Sequence, residues 1–293
     1  MSQLITVFGA TGKQGGAVVE SLLYSGEYKV RGITRNPDGE KAKTMQAKGV
    51  EIIQASLDDQ ASIDRAIAGS YGVFLVTNYW EYMDKEREMK QGKTVADACK
   101  KAGVKHVVFS GLEKVKDITG LDCPHFDGKG EIEKYLDKIG QPNTSVRYPY
   151  YFENFTVLEL GFQKQPDGSY TYTTCMQGEM DAISVYDGGP IVASIFAQPG
   201  KFIGKKIGLS GDRMTFKEYI DIISKVTGQA ITVNTITVDS YAKLFPGADD
   251  LAAMFHYYDN GNPDRDIKLS KQLNPKTKNF TEWAKDNKNN FNF

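Results

Sequence analysis

Short apolar runs alternate with amphipathic stretches through the first half of the chain. Leu4-Ile5-Thr6-Val7-Phe8 has the composition of a buried strand, and Ala17-Val18-Val19-Glu20-Ser21-Leu22-Leu23 keeps an apolar helical face. Tyr28-Lys29-Val30-Arg31-Gly32-Ile33-Thr34 predicts a second strand, residues 40–48 a helix and residues 50–54 a third strand. A helix over 61–68 follows, with Asp59 close to its start as the cap. The run 73–77 predicts a fully buried fourth strand. Residues 84–102 predict a long helix ended by Gly103, then 107–110 a fifth strand, 130–139 a helix and 145–147 a short sixth strand.

This order predicts an α/β fold, a Rossmann-type doubly wound parallel sheet with helices on both faces. Ligands in such sheets sit at the carboxyl ends of the strands, where the strand order reverses. Beyond Pro149 the rhythm breaks. Short strands such as 169–172 mix with helices such as 215–226, and no second glycine turn occurs. The expected division is a dinucleotide-binding domain over 1–154 and a smaller α+β C-terminal domain over 155–293, with segments near 183–196 returning to the first. The polar, asparagine-rich stretch 286–290 is expected to fray.

Between the first strand and the first helix lies Gly9-Ala10-Thr11-Gly12-Lys13-Gln14-Gly15-Gly16. Glycines let the backbone bend sharply and approach a pyrophosphate, and the free N–H groups at the helix start attract its charge. Many such turns hold glycine for steric reasons alone, so the flanking strand and helix carry the inference. An NAD site needs an acid about 20 residues past the glycines, to bind the ribose 2′-OH. Arg35 stands there instead, followed by Asn36 and Pro37. A guanidinium pairs with a 2′-phosphate, and no carboxylate stands there to repel it. Lys41 and Lys43 lie just beyond and add to the field. The plainer alternative for Arg35 is a solvated surface side chain. NADP(H) is the expected cofactor.

Bulk properties narrow the remaining classes. With 293 residues, 40% hydrophobic and 25% charged, the chain reads as one large globular domain or a large one with an appendage. A net charge of −1 and scattered lysines argue against direct nucleic-acid binding. No apolar run approaches a membrane span, and the first strand begins too early for a secretory signal. Three widely spaced cysteines, Cys99, Cys123 and Cys175, imply neither a disulfide framework nor a zinc site, so no metal is expected. The expected compartment is the reducing cytosol. A nuclear location suits a regulator, but no basic cluster supports one.

Catalytic chemistry should sit at the ends of strands four and five, where Thr77, Asn78 and Tyr79 approach Ser110. A short-chain dehydrogenase keeps its catalytic serine at such a point, then requires Y-x-x-x-K on the next helix. The tyrosine transfers the proton, and the lysine lowers its pKa and holds the ribose. Here that spacing reads His125-Phe126-Asp127-Gly128-Lys129. The lysine is present and the tyrosine is a histidine. An imidazole can act as an acid near neutral pH. Its reach differs from a phenol's, so a packing or capping role is the plainer reading. No catalytic residue is therefore assigned; His125, Lys129 and Ser110 are the candidates if the chain is active.

The glycine turn, Thr34-Arg35-Asn36-Pro37, Val76-Thr77-Asn78-Tyr79-Trp80, His125-Phe126-Asp127-Gly128-Lys129-Gly130, Ser145-Val146-Arg147 and Tyr151-Phe152-Glu153-Asn154 together resemble the NmrA-like family. These are atypical short-chain dehydrogenase/reductase relatives, and the animal NADPH-sensor members are the most similar. The resemblance runs nearly end to end, through Asp264-Arg265-Asp266-Ile267. It implies that Gly9, Ala10, Thr11, Gly12, Lys13, Gln14 and Gly15 cradle the pyrophosphate and that Arg35 takes the 2′-phosphate. Thr77, Asn78, Tyr79 and Lys129 would contact the nicotinamide ribose, Lys90 would reach the cofactor, and Tyr151, Phe152, Glu153 and Asn154 would lie over the nicotinamide. Relatives usually carry Gly-Asp after strand three; this chain has Ala55-Ser56, which leaves the adenine contact to Ser56 and Leu57.

Several family members have lost dehydrogenase activity and regulate other proteins in response to redox state. Others reduce quinones or phenylpropanoids with NADPH. The expected function is an NADP(H)-binding, redox-sensing regulator whose conformation controls a protein partner; an NADPH-dependent quinone or carbonyl reductase is the alternative. A homodimer is left open, and neither nucleic acid nor membrane is expected as a partner.

Overall fold

The computed structural model describes residues 2–157 and 161–293. The chain forms two compact units. The first runs to Lys114 and adds His125–Arg147 and Val185–Ile207; the second holds Val115–Pro124, Tyr148–Ser184 and Gly208–Phe293.

The first unit alternates strand and helix: β1 (Gln3–Val7), α1 (Lys13–Ser25), β2 (Tyr28–Thr34), α2 (Glu40–Ala47), β3 (Glu51–Gln54), α3 (Gln60–Ile67), β4 (Gly72–Leu75) and α4 (Lys85–Ala102). After β5 (His106–Gly111) comes α5 (Val115–Thr119) of the second unit. The first unit resumes with α6 (Pro124–Lys138) and β6 (Asn143–Arg147). Its sheet has the order β3-β2-β1-β4-β5-β6, with β1 to β6 all parallel. A seventh strand lies beside β6 and is named β11 below for its place in the chain. The strand order reverses between β1 and β4, as the doubly wound expectation requires.

Period-two alternation sorts the sheet's side chains to its two faces. Val73 and Leu75 of β4 join Val107 and Phe109 of β5 in a core with Ile63 and Ile67 of α3, Val95 and Cys99 of α4, and Ile132 and Leu136 of α6. The other face receives α1 and a helix formed much later in the chain, Gly188–Phe196. These two come so close that a Cβ at Gly189 would lie 2.3 Å from the Ala17 carbonyl oxygen. Local signals at the ends hold. Asp59 accepts from the Ala61 N–H at 3.1 Å, Asp84 caps α4, and Gly103 ends that helix with φ +68°. Helix α6 starts earlier than the sequence suggests. Pro124 occupies its first turn, where a missing N–H costs nothing, so His125 and Lys129 both lie on the helix.

The second unit contains α5, then β7 (Tyr150–Tyr151), α7 (Asn154–Val157), β8 (Gln163–Lys164), β9 (Tyr170–Thr174) and β10 (Glu179–Ile183). Helices α8 (Gly188–Phe196) and α9 (Pro199–Phe202), with β11 (Lys206–Gly208), follow in sequence as the return to the first unit. The second unit then continues with β12 (Asp212–Thr215), α10 (Phe216–Thr227), β13 (Ile231–Thr235), α11 (Val238–Tyr241), α12 (Ala248–Asn260), α13 (Ile267–Leu273) and α14 (Phe280–Asp286). Its two small sheets are β12-β10-β7 and β13-β9-β8. Residues 148–154, placed by sequence in the first domain, belong to the second unit because β7 pairs with β10, Tyr150 opposite Ala182 and Tyr151 opposite Ile183.

An aromatic core holds this unit together. The Phe280 ring lies 5.2 Å from Phe155 and 4.8 Å from Tyr219, between centroids. The expectation of a frayed C-terminus is corrected. Phe291 is buried and packs edge-on against Trp283, Phe293 lies 4.8 Å from Phe162, and Asn292 donates to the Thr156 carbonyl at 2.9 Å. A polar composition hid two aromatic anchors. The three cysteines are buried and none is in a disulfide. No helix among the described residues is long and apolar enough to cross a membrane.

Candidate dinucleotide site

The glycine turn sits at the point where the sheet order reverses. Gly9 has φ +64°, and a Cβ there would lie 2.8 Å from Val76 Cγ1 at the end of β4. A Cβ at Gly15 would stand 2.2 Å from the Gly9 carbonyl oxygen. The turn is therefore pressed against the start of α1 more closely than any side chain permits. Gly12 precedes the helix without a side-chain cap, and the first turn holds no acid. The start of α1 thus carries no capping side chain at Gly12 and no acid in its first turn, which suits an anion. Ala10 is buried, Thr11 and Gln14 are half-buried, and Gly12 and Lys13 are exposed at the rim. Lys41 reaches the turn and donates to the Thr11 carbonyl at 3.3 Å. These features fit a pyrophosphate.

Arg35 follows β2 with its side chain 62% exposed. Its backbone carbonyl accepts from Gln54 Nε2 at 3.0 Å. The guanidinium pairs with the Glu81 carboxylate and lies 3.4 Å from the Tyr82 hydroxyl oxygen. Each partner holds the other charged: Glu81 lies below the usual carboxylate range because of Arg35, and Arg35 is pushed up by Glu81. The expectation that no carboxylate faces Arg35 is corrected, since the fold brings one from a turn 46 residues away.

Ser56 and Leu57 are half-buried after β3, and Asp58 beside them is held below the usual range by Arg87 and Gln91. Arg87 Nη2 donates to Asp58 at 2.7 Å, Gln91 donates at 2.9 Å, and the Arg87 guanidinium stacks 3.4 Å above the Tyr82 ring. Lys90 is exposed one turn further along α4 and acts on Asp58 through its charge.

Past β4, Thr77 is buried, Asn78 exposed, and Tyr79 buried at the head of a one-turn 3-10 helix, Tyr79–Glu81. Lys129 of α6 reaches this point. Its Nζ donates to the Thr77 carbonyl at 3.3 Å, to Thr77 Oγ1 at 3.2 Å and to the Glu88 carboxylate. Thr77 Oγ1 donates to the same carboxylate at 2.7 Å. Glu88 was not foreseen. It lies in step with buried Gln91, Gly92, Val95 and Cys99 on the inner face of α4, and a carboxylate on such a stripe requires a partner. Glu81 carried no comparable signal.

His125 is buried, its ring 4.8 Å from Phe126, 4.9 Å from Trp80 and 6.1 Å from Tyr79. Ser110 is buried at the end of β5. Gly9, Arg35, Thr77 and Lys129 thus share the carboxyl edge of one sheet. Tyr151, Phe152, Glu153 and Asn154 belong to the second unit, where Phe152 packs on Phe280 and Trp283, and Glu153 accepts from Ser184 at 2.6 Å.

Residues 1–284 match the NmrA-like family. The chain belongs to that family. Among NmrA-like relatives, a family domain-containing protein of Dictyostelium discoideum is 32% identical over 259 residues, covering 84% of each chain. An NmrA-like family domain-containing oxidoreductase of Malbranchea aurantiaca is 33% identical over 284 residues, covering 88% of this chain and 84% of its own. The fold superposes on the crystal structure of NmrA, a negative transcriptional regulator, with TM-score 0.84 at 21% identity, covering 97% of this chain and 95% of NmrA. It also superposes on an NADPH-dependent quinone oxidoreductase of Escherichia coli complexed with NADPH, with TM-score 0.80 at 26% identity, covering 96% and 98%.

Proposed function

We propose that this NmrA-like protein binds NADP(H) at the carboxyl edge of its parallel sheet and uses the bound cofactor as a signal to a protein partner. The observation that carries this reading is the site's mixed state: an intact cradle beside a position without its proton donor. Gly9 to Gly15 would hold the pyrophosphate on backbone N–H groups, Arg35 the 2′-phosphate, and Thr77 with Lys129 the ribose nearest the nicotinamide. NADPH in the quinone oxidoreductase neighbour supports the choice of cofactor.

The chemistry of a short-chain dehydrogenase would require a phenol close to its lysine. His125 is instead wedged among Phe126 and Trp80, and Lys129 is neutralised by Glu88. An ammonium so engaged is poorly placed to depress a neighbouring pKa. A signalling role requires the two conformations of the protein to bind cofactor unequally, because equal affinity shifts no population. Segments 35–43 and 151–154 are where that difference would be expressed. The partner would be a protein that reads the altered surface.

A second reading is favoured by the relatives named oxidoreductases and by the quinone oxidoreductase neighbour. When bound, NADPH supplies a hydride, and with one proton from water a quinone becomes a hydroquinone without a protein acid. Trp80, an exposed ring beside buried Tyr79, offers surface for such an acceptor.

NADPH deuterated at its transferable hydrogen, incubated with protein and a panel of quinones and carbonyls, separates the two. The regulatory reading expects no enzyme-dependent deuterium in any acceptor while binding is confirmed in the same sample. Transfer at rates on the order of 1 per second would overturn it in favour of the reductase.

A further inference from the structure

We propose that Glu81 is a competing counter-anion for the 2′-phosphate pocket, so that Arg35 exchanges one anion for another when a phosphorylated dinucleotide binds. This deepens the cofactor reading above and rests on it. Arg35 carries the charge that suits a 2′-phosphate, yet its guanidinium is paired with the Glu81 carboxylate. The neighbouring guanidinium is also taken. Arg87, the next guanidinium along, holds Asp58 at 2.7 Å, with Asp58 also taking Gln91, and its face lies on the Tyr82 ring. Arg35, Arg87, Glu81 and Asp58 form a set whose formal charges cancel. A phosphate arriving there meets an Arg35 guanidinium that is already paired until Glu81 leaves.

Displacement has a structural path. Glu81 is only 30% exposed in its side chain, and it ends the one-turn helix that carries Tyr79 and Trp80. The Trp80 ring packs 4.9 Å from His125 on α6, and Tyr79 is buried beside it. Release of Glu81 from Arg35 therefore frees the end of a turn whose other residues line the nicotinamide side of the proposed site. Occupation of the 2′-phosphate pocket is coupled through this one turn to the aromatic cluster. A dinucleotide without that phosphate leaves the ion pair in place and the turn tied down. The preference for NADP over NAD is then the attraction by Arg35 less the repulsion from Glu81.

The test is calorimetric titration of the full chain and of Glu81→Gln with NADP+ and with NAD+. Removing the competing charge should tighten NADP+ on the order of tenfold. NAD+ affinity should stay within about twofold. Unchanged or weaker NADP+ binding would overturn the proposal, because Glu81 would then be positioning Arg35. Equal tightening of both nucleotides would also overturn it, since the effect would not involve the 2′-phosphate. If neither protein binds either nucleotide, the cofactor reading itself falls and takes this proposal with it.

Discussion

His106 lies fully buried at the start of β5, with Nε2 2.8 Å from Thr144 Oγ1 on the neighbouring strand. Burial disfavours its charged form and lowers its pKa from 6.5 to about 4. The unfolded chain therefore takes up this proton before the folded one does. The resulting stabilisation is complete above about pH 6.5 and is lost progressively as pH falls toward 4, to a total of roughly 3 kcal/mol. Urea unfolding between pH 6.5 and 4.5 should show wild-type losing stability faster than His106→Gln, which keeps a polar partner for Thr144. Parallel losses would contradict the assignment. At this scale the sequence is legible where a residue's role is local. The glycines between β1 and α1 and the caps at Asp59 and Asp84 are such residues. Spacing points to Arg35 but not to its carboxylate partner 46 residues on, because nothing in a linear pattern reports an ion pair between two turns.

Helices α4 and α6 meet through Lys129 and Glu88, whose side chains are 13% and 1% exposed. Removing only one member leaves the other charged and desolvated. Lys129→Met should therefore cost roughly 3–5 kcal/mol, and the double variant Lys129→Met/Glu88→Leu should recover much of it. Denaturant unfolding of the three proteins checks this; a stable single variant would show that Lys129 is not committed to Glu88. Element positions were legible because the periodicity is strong. Strand β2 occupies the predicted residues, and α4 begins one residue inside its predicted start. Helix α6 was read too short because Gly128, a poor helix former, lies just ahead of the predicted start at Gly130. Both glycines make room for neighbours. A Cβ at Gly130 would lie 2.8 Å from the Lys114 backbone nitrogen, and one at Gly128 would lie 2.8 Å from Glu88 Oε2.

The whole molecule consists of two units threaded by the same chain, and the second was the less legible. Its strands are short, its sheets join segments far apart in sequence, and its core is aromatic rather than periodic. In the function proposed above, NADP(H) is a signal to this fold rather than a reagent held by it. Hydrogen exchange of the protein with and without NADPH tests that most directly. Exchange should slow over 9–16 and 35–43, where the cofactor would be held. It should also change over 79–82 and 151–154, the segments that would carry the change outward. Protection confined to 9–16 and 35–43, with 79–82 and 151–154 unchanged, would contradict it.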